Sequence, residues 1–252
     1  MNPSRVVFVT GASAGFGMAI ARRFVADGCR VIISGRRGER LRKLAAELGP
    51  LALPLTFDVR DAKAVDSAIA TLPADFADVD VLINNAGLAL GLEPAHKALM
   101  DDWERMVDTN IKGLMYMTRA LLPGMVARNR GHVVNIGSVA GEWPYPGGNV
   151  YGGTKAFVRH FSLNLRADLA GTAVRVSNVE PGLCGGTEFS NVRFHGDDAR
   201  AAKIYDKVTP MSAEDIAEAA HWIATRPAHV NINTISMMPV AQTFSPLTIH
   251  RA

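Results

Sequence analysis

Tyr151 and Lys155, four residues apart in the stretch "NVYGGTK", pose the first chemical question. On a helix such a pair shares one face, with Cβ atoms roughly 5–6 Å apart. A free phenol has a pKa of about 10, so bringing it to neutrality takes about three units, roughly 4 kcal/mol in favour of phenolate. A neighbouring ammonium is a charge of the right sign to contribute. Ser138 ends the apolar run "HVVNIGS" thirteen positions before Tyr151 and brings a hydroxyl to the same neighbourhood. Taken alone, a tyrosine and a lysine on one helix face are equally well an exposed pair with no chemistry.

A second group lies near the N-terminus. "VTGASAGFGMA" carries Gly11, Gly15 and Gly17, with Ser13 and Phe16 between them, directly after an apolar run and ahead of a helical pattern. Glycines there let the chain turn tightly and bring its backbone to a pyrophosphate at the positive end of the helix. An adenine-ribose site for NAD usually has a carboxylate about 20 positions further on. That place is held by Gly35, and Arg36 and Arg37 follow it. With no carboxylate to repel it, a 2′-phosphate would meet two guanidinium groups suited to bidentate pairing, which points to NADP(H). The same arginines also suit the start of a solvated helix. Ala14 is neutral where a further basic residue would have strengthened the preference.

The elements that must position these groups follow a simple alternation. Runs at 5–11, 29–35, 51–59, 80–87, 132–138 and 174–182 are rich in valine, isoleucine and leucine, as strands buried on both faces are. Between them lie stretches with apolar residues three and four apart, most ending at a glycine. Alternation of this kind predicts an α/β fold: a single Rossmann-type, doubly wound parallel sheet of about seven strands with helices on both faces. Residues 212–225 read as a helix with a serine cap, and 231–240 as the last strand. One domain over 1–252 is expected, with a polar lid at 187–207 and a tail at 241–252.

Composition narrows the function classes. The 252 residues are 48% apolar and 20% charged, which is ordinary for a globular protein with a large core. The net charge is +3, and "RRGERLRK" is interrupted by Glu39, so neither a nucleic-acid arm nor a membrane patch is expected. No run approaches the ~18 apolar residues of a membrane span. Cys29 and Cys184 form no metal or disulfide pattern, and a reduced cytoplasmic setting with no metal is expected.

The glycine spacing G-x-x-x-G-x-G resembles that of the short-chain dehydrogenase/reductase family, and its other signatures follow in order. They are "NNAG" (84–87), "TN" (109–110), "GS" (137–138), "YGGTK" (151–155) and "PG" (181–182), over nearly the whole chain. The resemblance implies an oxidoreductase in which Ser138 holds the substrate oxygen and Tyr151 passes the proton. Lys155 lowers the tyrosine pKa and binds the cofactor ribose, while Asn110 holds a water that links Lys155 to solvent. It assigns Asp58 and Val59 to the adenine, although an aspartate there could equally end a strand. Asn85, Ala86, Gly87, Pro181, Gly182 and Thr187 are assigned to the cofactor as well. Gly152 and Gly153 are read as small residues where the helix must approach the nicotinamide end.

Substrate selection falls to the loop at 140–149 and to the lid, where Trp143 walls in a small pocket and Arg193 meets an anion. The text of both segments is similar to the NADP-dependent 3-hydroxy acid dehydrogenases. That subgroup oxidises serine, allo-threonine and 3-hydroxy acids, and reduces malonic semialdehyde. A reductase of another small carbonyl, such as sulfoacetaldehyde, or of general ketones is an alternative, as is a catalytically silent NADP-binding regulator. The resemblance also implies a homotetramer.

Overall fold

The apolar runs form the strands they predict, and the alternation of side chains along each strand divides the core in two. A computed structural model describes residues 5–244; the part of the expected tail at 245–252 lies outside them. Seven parallel strands lie in the order β3-β2-β1-β4-β5-β6-β7. They are β1 (Val6–Val9), β2 (Arg30–Gly35), β3 (Ala52–Thr56), β4 (Val79–Asn84), β5 (Gly131–Ile136), β6 (Val174–Pro181) and β7 (Thr234–Met237). Val7 and Val9 of β1 point to one face, with Ile20 and Phe24 of α1 (Gly15–Ala26). Val6 and Phe8 point to the other, towards Met117 and Leu121.

α2 (Gly38–Leu48) joins α1 on its face through Leu41 and Leu44, and α3 (Ala62–Ala70), the short α4 (Ala74–Ala77), α5 (Met100–Val107) and α6 (Leu114–Ala127) follow in the chain, with α3 and α6 on the other face. The chain continues through α7 (Asn149–Asp168), α8 (Phe189–Arg193), α9 (Asp198–Lys203) and α10 (Ala213–Thr225). As the serine predicts, Ser212 caps α10: its hydroxyl accepts from Asp215 N at 3.1 Å, and its own N–H donates to the Asp215 carboxylate at 2.8 Å. Among the described residues no helix is long and apolar enough to cross a membrane.

Strand order reverses between β1 and β4, because the chain builds outward from β1 to β3 and then returns to pair β4 on its other side. Where order reverses, the loops leaving adjacent strand ends diverge and open a crevice at the carboxyl edge. The glycine turn leaves β1 at that edge and Asn85–Gly87 leaves β4.

Three expectations change. The helical pattern between the strand runs at 80–87 and 132–138 is interrupted by a π-helical turn at Asp108–Gly113 between α5 and α6. The third strand stops at Thr56 rather than 59, and Phe57, Asp58 and Val59 leave the sheet to line the crevice. The lid is not a polar loop. It forms α8 and α9, with Ser190, Arg193, Phe194 and Ala201 buried.

Candidate active site

The crevice encloses a cavity of about 640 Å³ running from the end of β2 to the lid. At one end, Gly11 and Gly15 hold φ of +66° and +54°, in the left-handed region open to glycine. A Cβ on Gly11 would lie 2.9 Å from Ala86 Cα, so the turn after β1 touches the turn after β4. Thr10 ties the two together. Its hydroxyl accepts from the N–H groups of Asn85 (3.0 Å) and Ala86 (2.9 Å), and the Asn85 amide donates back to Thr10 O at 2.8 Å. No side chain caps the N-terminus of α1, and no acidic residue stands in its first turn. Its free N–H groups therefore open into the cavity, as an anion site requires.

Arg36 and Arg37 line the same end, beside Gly35. Arg37 Nε donates to Ser13 Oγ at 3.0 Å, which fixes its guanidinium over the glycine turn. Asp58 has two surroundings. It lines the cavity, and its carboxylate receives Arg60 N at 3.0 Å, closing the turn after β3. Burial raises the Asp58 pKa, but the Arg60 guanidinium and N–H outweigh it and hold the carboxyl below its ordinary value. An uncapped helix end, close-packed glycines and arginines without an opposing carboxylate on β2 fit a dinucleotide with an extra phosphate.

Gly17 is not at the cavity wall. A Cβ there would meet Gly11 O and Asn85 Nδ2, both at 2.6 Å, so this glycine seats α1 against the two turns instead. Gly152 and Gly153 also differ from expectation. Neither lines the cavity; the space around Gly153 is open, and a Cβ on Gly152 would face Ala140 O at 3.1 Å. Gly141, which the sequence did not single out, does the close packing. A Cβ there would lie 2.6 Å from the Lys155 carbonyl, so the turn from Ser138 rests directly on α7.

At the other end Ser138, Tyr151 and Lys155 come together from the end of β5 and the first turns of α7. All three are buried. Lys155 Nζ donates to Ile136 O at 2.8 Å and stands 5.9 Å from the Tyr151 ring centroid. Burial drives Tyr151 up to about 12, against the lowering action of the Ser138 hydroxyl and the Arg193 guanidinium. Burial drives Lys155 down to about 8. The expectation that Lys155 and a cationic nicotinamide ring together depress the phenol concerns the loaded site; in the protein by itself desolvation dominates, and the opposing cation is Arg193.

Asn110 stands one layer behind the wall, carried there by the π-helical turn. Its amide accepts from Leu88 N (2.9 Å) and donates to Leu88 O (2.8 Å) and Thr154 Oγ1 (3.0 Å). Thr154 in turn donates to Tyr151 O at 2.8 Å. The Asn110 side chain thus reaches the site through Leu88 and α7 rather than by touching Lys155.

Arg193, the residue expected to meet an anion, is buried and lines the cavity. It donates to Tyr145 Oη (2.7 Å) and Gly91 O (3.2 Å), and its guanidinium carbon lies 5.6 Å from the Tyr151 ring centroid. Among the described residues no carboxylate pairs with it. Trp143 stacks on Phe244 at 4.6 Å and closes the outer wall. Asn85, Ala86, Gly87, Pro181, Gly182 and Thr187 all line the cavity, as expected. Phe189, packed on Tyr151 at 5.9 Å, and Gln242, bonded to Leu183 N at 2.7 Å, were missed. Their signal was only adjacency to Thr187 and to the tail. Cys184 is buried with its thiol pushed up to about 12, in keeping with a packing role.

With this geometry in hand, the chain can be compared with known proteins. Residues 5–197 match the family model described as short chain dehydrogenase. An NADP-dependent 3-hydroxy acid dehydrogenase of Salmonella typhi is 65% identical over 247 residues, covering 98% of this chain and 100% of that protein. A serine 3-dehydrogenase of Agrobacterium fabrum is 51% identical over 98% and 99% of the two chains. The closed form of a serine dehydrogenase complexed with NADP+ superposes with a TM-score of 0.97 at 61% identity, over 98% of this chain and 100% of the other.

Proposed function

The chain belongs to the short-chain dehydrogenase family, and on that premise we propose an NADP(H)-dependent oxidoreductase for small 3-hydroxy acids or hydroxy amino acids. Serine, allo-threonine and 3-hydroxypropionate with its semialdehyde are the substrates in view, in keeping with the named activities of the relatives. The observation that carries the anionic substrate is Arg193. A buried guanidinium held only by a phenol and a peptide carbonyl, within reach of Tyr151, is a charge waiting for a counter-charge.

When bound, NADP(H) supplies the hydride acceptor or donor. Backbone N–H groups at the start of α1 hold its diphosphate, and Arg36 and Arg37 hold the 2′-phosphate. Asp58 and Val59 border the adenine, while Asn85 to Gly87, Pro181, Gly182 and Thr187 border the other half. Ser138 Oγ holds the substrate oxygen and Tyr151 Oη exchanges its proton. At neutral pH the phenol carries its proton and is ready to act as the acid in carbonyl reduction. Oxidation needs the phenolate, so it gains as pH rises. Lys155 holds positive charge beneath the pair below pH about 8.

Initial rates with NADP and NAD on L-serine, L-allo-threonine, 3-hydroxypropionate and 3-hydroxyisobutyrate test this reading, together with Arg193→Met. The variant should lose about 10- to 100-fold in kcat/KM on the acids and little on neutral alcohols of equal length. Since Arg193 lowers the Tyr151 pKa, its removal should also move the alkaline rise of oxidation to higher pH. Equal losses on acids and neutral alcohols would sink the carboxylate assignment. Sulfoacetaldehyde, another small anion, is favoured by the same arginine and belongs in the panel. Aryl ketones are not favoured by it.

A further inference from the structure

Seven consecutive residues reach from the phosphate-binding end of the crevice to the catalytic tyrosine. Thr187 packs on Gly15 at 3.4 Å from where a Cβ would be, Phe189 packs on Tyr151, and Arg193 bonds to Gly91 and Tyr145. Between Thr187 and Phe189 stands Glu188. One carboxylate oxygen receives Arg37 Nη1 at 2.6 Å, and the other receives Arg40 Nη1 at 2.7 Å. The two guanidinium groups hold its pKa below the ordinary value.

We infer that Glu188 is a positioning residue, a clasp that fastens the lid to the arginines of α2 and so holds it shut over the bound cofactor. The inference rests on the NADP(H) reading. Arg37 lines the cavity and faces the phosphate site, whereas Arg40 does not line it. Arg40 is therefore an anchor for the lid alone, and its arm of the clasp persists when Arg37 turns a donor towards a phosphate. Glu188 also occupies the N-terminal cap position of α8, so the clasp sets where that helix begins and where Phe189 and Arg193 fall against Tyr151. The backbone coincides with a relative in its closed, NADP+-complexed form, which is the state such a clasp would stabilise.

All three side chains are about half exposed, so the clasp is weak and reversible, as a lid that must open for every exchange of cofactor requires. Glu188→Gln loses both arms and Arg40→Gln loses one.

Two measurements on the full-length protein test the clasp. Hydrogen–deuterium exchange of amides 189–194, without cofactor, should quicken about five- to tenfold in Glu188→Gln and about two- to threefold in Arg40→Gln. NADPH release in stopped flow should quicken about two- to threefold in both variants, because in the loaded protein Arg37 serves the phosphate and only the Arg40 arm remains to be lost, with the melting temperature unmoved, as a merely structural contact would not allow. The double variant should match Glu188→Gln, since Arg40 meets the lid only through that carboxylate. Unchanged exchange, or additive effects in the double variant, would overturn the clasp. Slower NADPH release from Glu188→Gln would overturn it too, showing that the carboxylate competes with the 2′-phosphate instead. A wild-type protein that binds no NADPH would refute the cofactor reading, and exchange alone would then decide for or against the clasp.

Discussion

The wall that carries Ser138, Tyr151 and Lys155 and the lid that faces it are held by opposite kinds of force. Behind the wall, polar side chains are buried and bonded to one another in series, with Asn84 Oδ1 left without a partner. Asn84 donates to Thr118 and Asn135, Asn135 to Ser162, and Asn110 joins Leu88 to Thr154. Buried hydrogen bonds of this kind are costly to break, because each lost partner leaves a desolvated group behind. The lid is fastened at its margins by pairs at the surface: Glu188 with Arg37 and Arg40, and Arg200 with Glu93 at 3.3 Å. Such pairs contribute little each and weaken with salt. The contrast divides the labour: proton transfer needs fixed geometry, whereas admission and release need a part that opens.

If the wall carries the chemistry, the largest effect belongs to Tyr151→Phe. The ring and its contact with Phe189 remain and only the proton carrier is lost, so turnover should fall about 10²- to 10⁴-fold. NADPH affinity, measured by fluorescence titration, should be retained. Full turnover by this variant would break the division at once and place the proton elsewhere. Next comes Asn110→Leu, which is close in volume but leaves Leu88 N–H, Leu88 C=O and Thr154 without their partner. A stability loss of about 3 kcal/mol in urea unfolding is expected. A loss no larger than that of a surface ion pair would show that the wall is no more rigid than the lid.

Much of the wall was legible beforehand because its logic is local. Strand runs and glycine spacing fix which residues end strands and open helices, and a sheet-order reversal then brings those ends together. Tyr151 and Lys155 on one helix face, and Arg36 and Arg37 after a strand lacking a carboxylate, required only periodicity and charge. Other features depended on contacts distant in sequence. Nothing local in "DTNIKG" announces a π-helical turn, which arises from Gly113 packing against Val59, 2.7 Å from where a Cβ would be, and from Asn110 reaching Leu88. Arg193 was readable as a cation for an anion, but not what holds it, because its partners, Gly91 and Tyr145, lie 102 and 48 residues away. The upward shift of Tyr151 in the protein by itself was out of sight for a related reason. A neighbouring cation is visible in the sequence, but the degree of burial is not.

Burial of ionisable groups gives the wall a sensitivity to pH that the lid's exposed pairs do not share, and His132 makes the smallest of the predicted effects measurable. It lies within β5, fully enclosed, with Nε2 at 2.8 Å from Ser177 Oγ. Burial, reinforced by the charges of Arg175 and Arg5, holds its pKa well below the ordinary value. The folded chain keeps the ring neutral, whereas the unfolded chain takes up a proton near pH 6.5. Below that pH the unfolded state binds one more proton, so stability must fall as the medium is acidified, by at most about 1.4 kcal/mol per pH unit. His132→Gln keeps a partner for Ser177 and removes the titration. Urea unfolding between pH 6.5 and 5 should then show a slope shallower by about one proton in the variant. Added salt should not restore the difference, since the ring is out of reach of counter-ions, whereas it should loosen the lid. Equal slopes in the two proteins would mean that the buried end of β5 opens to water before the rest of the sheet, and the wall would lose its claim to be the rigid half.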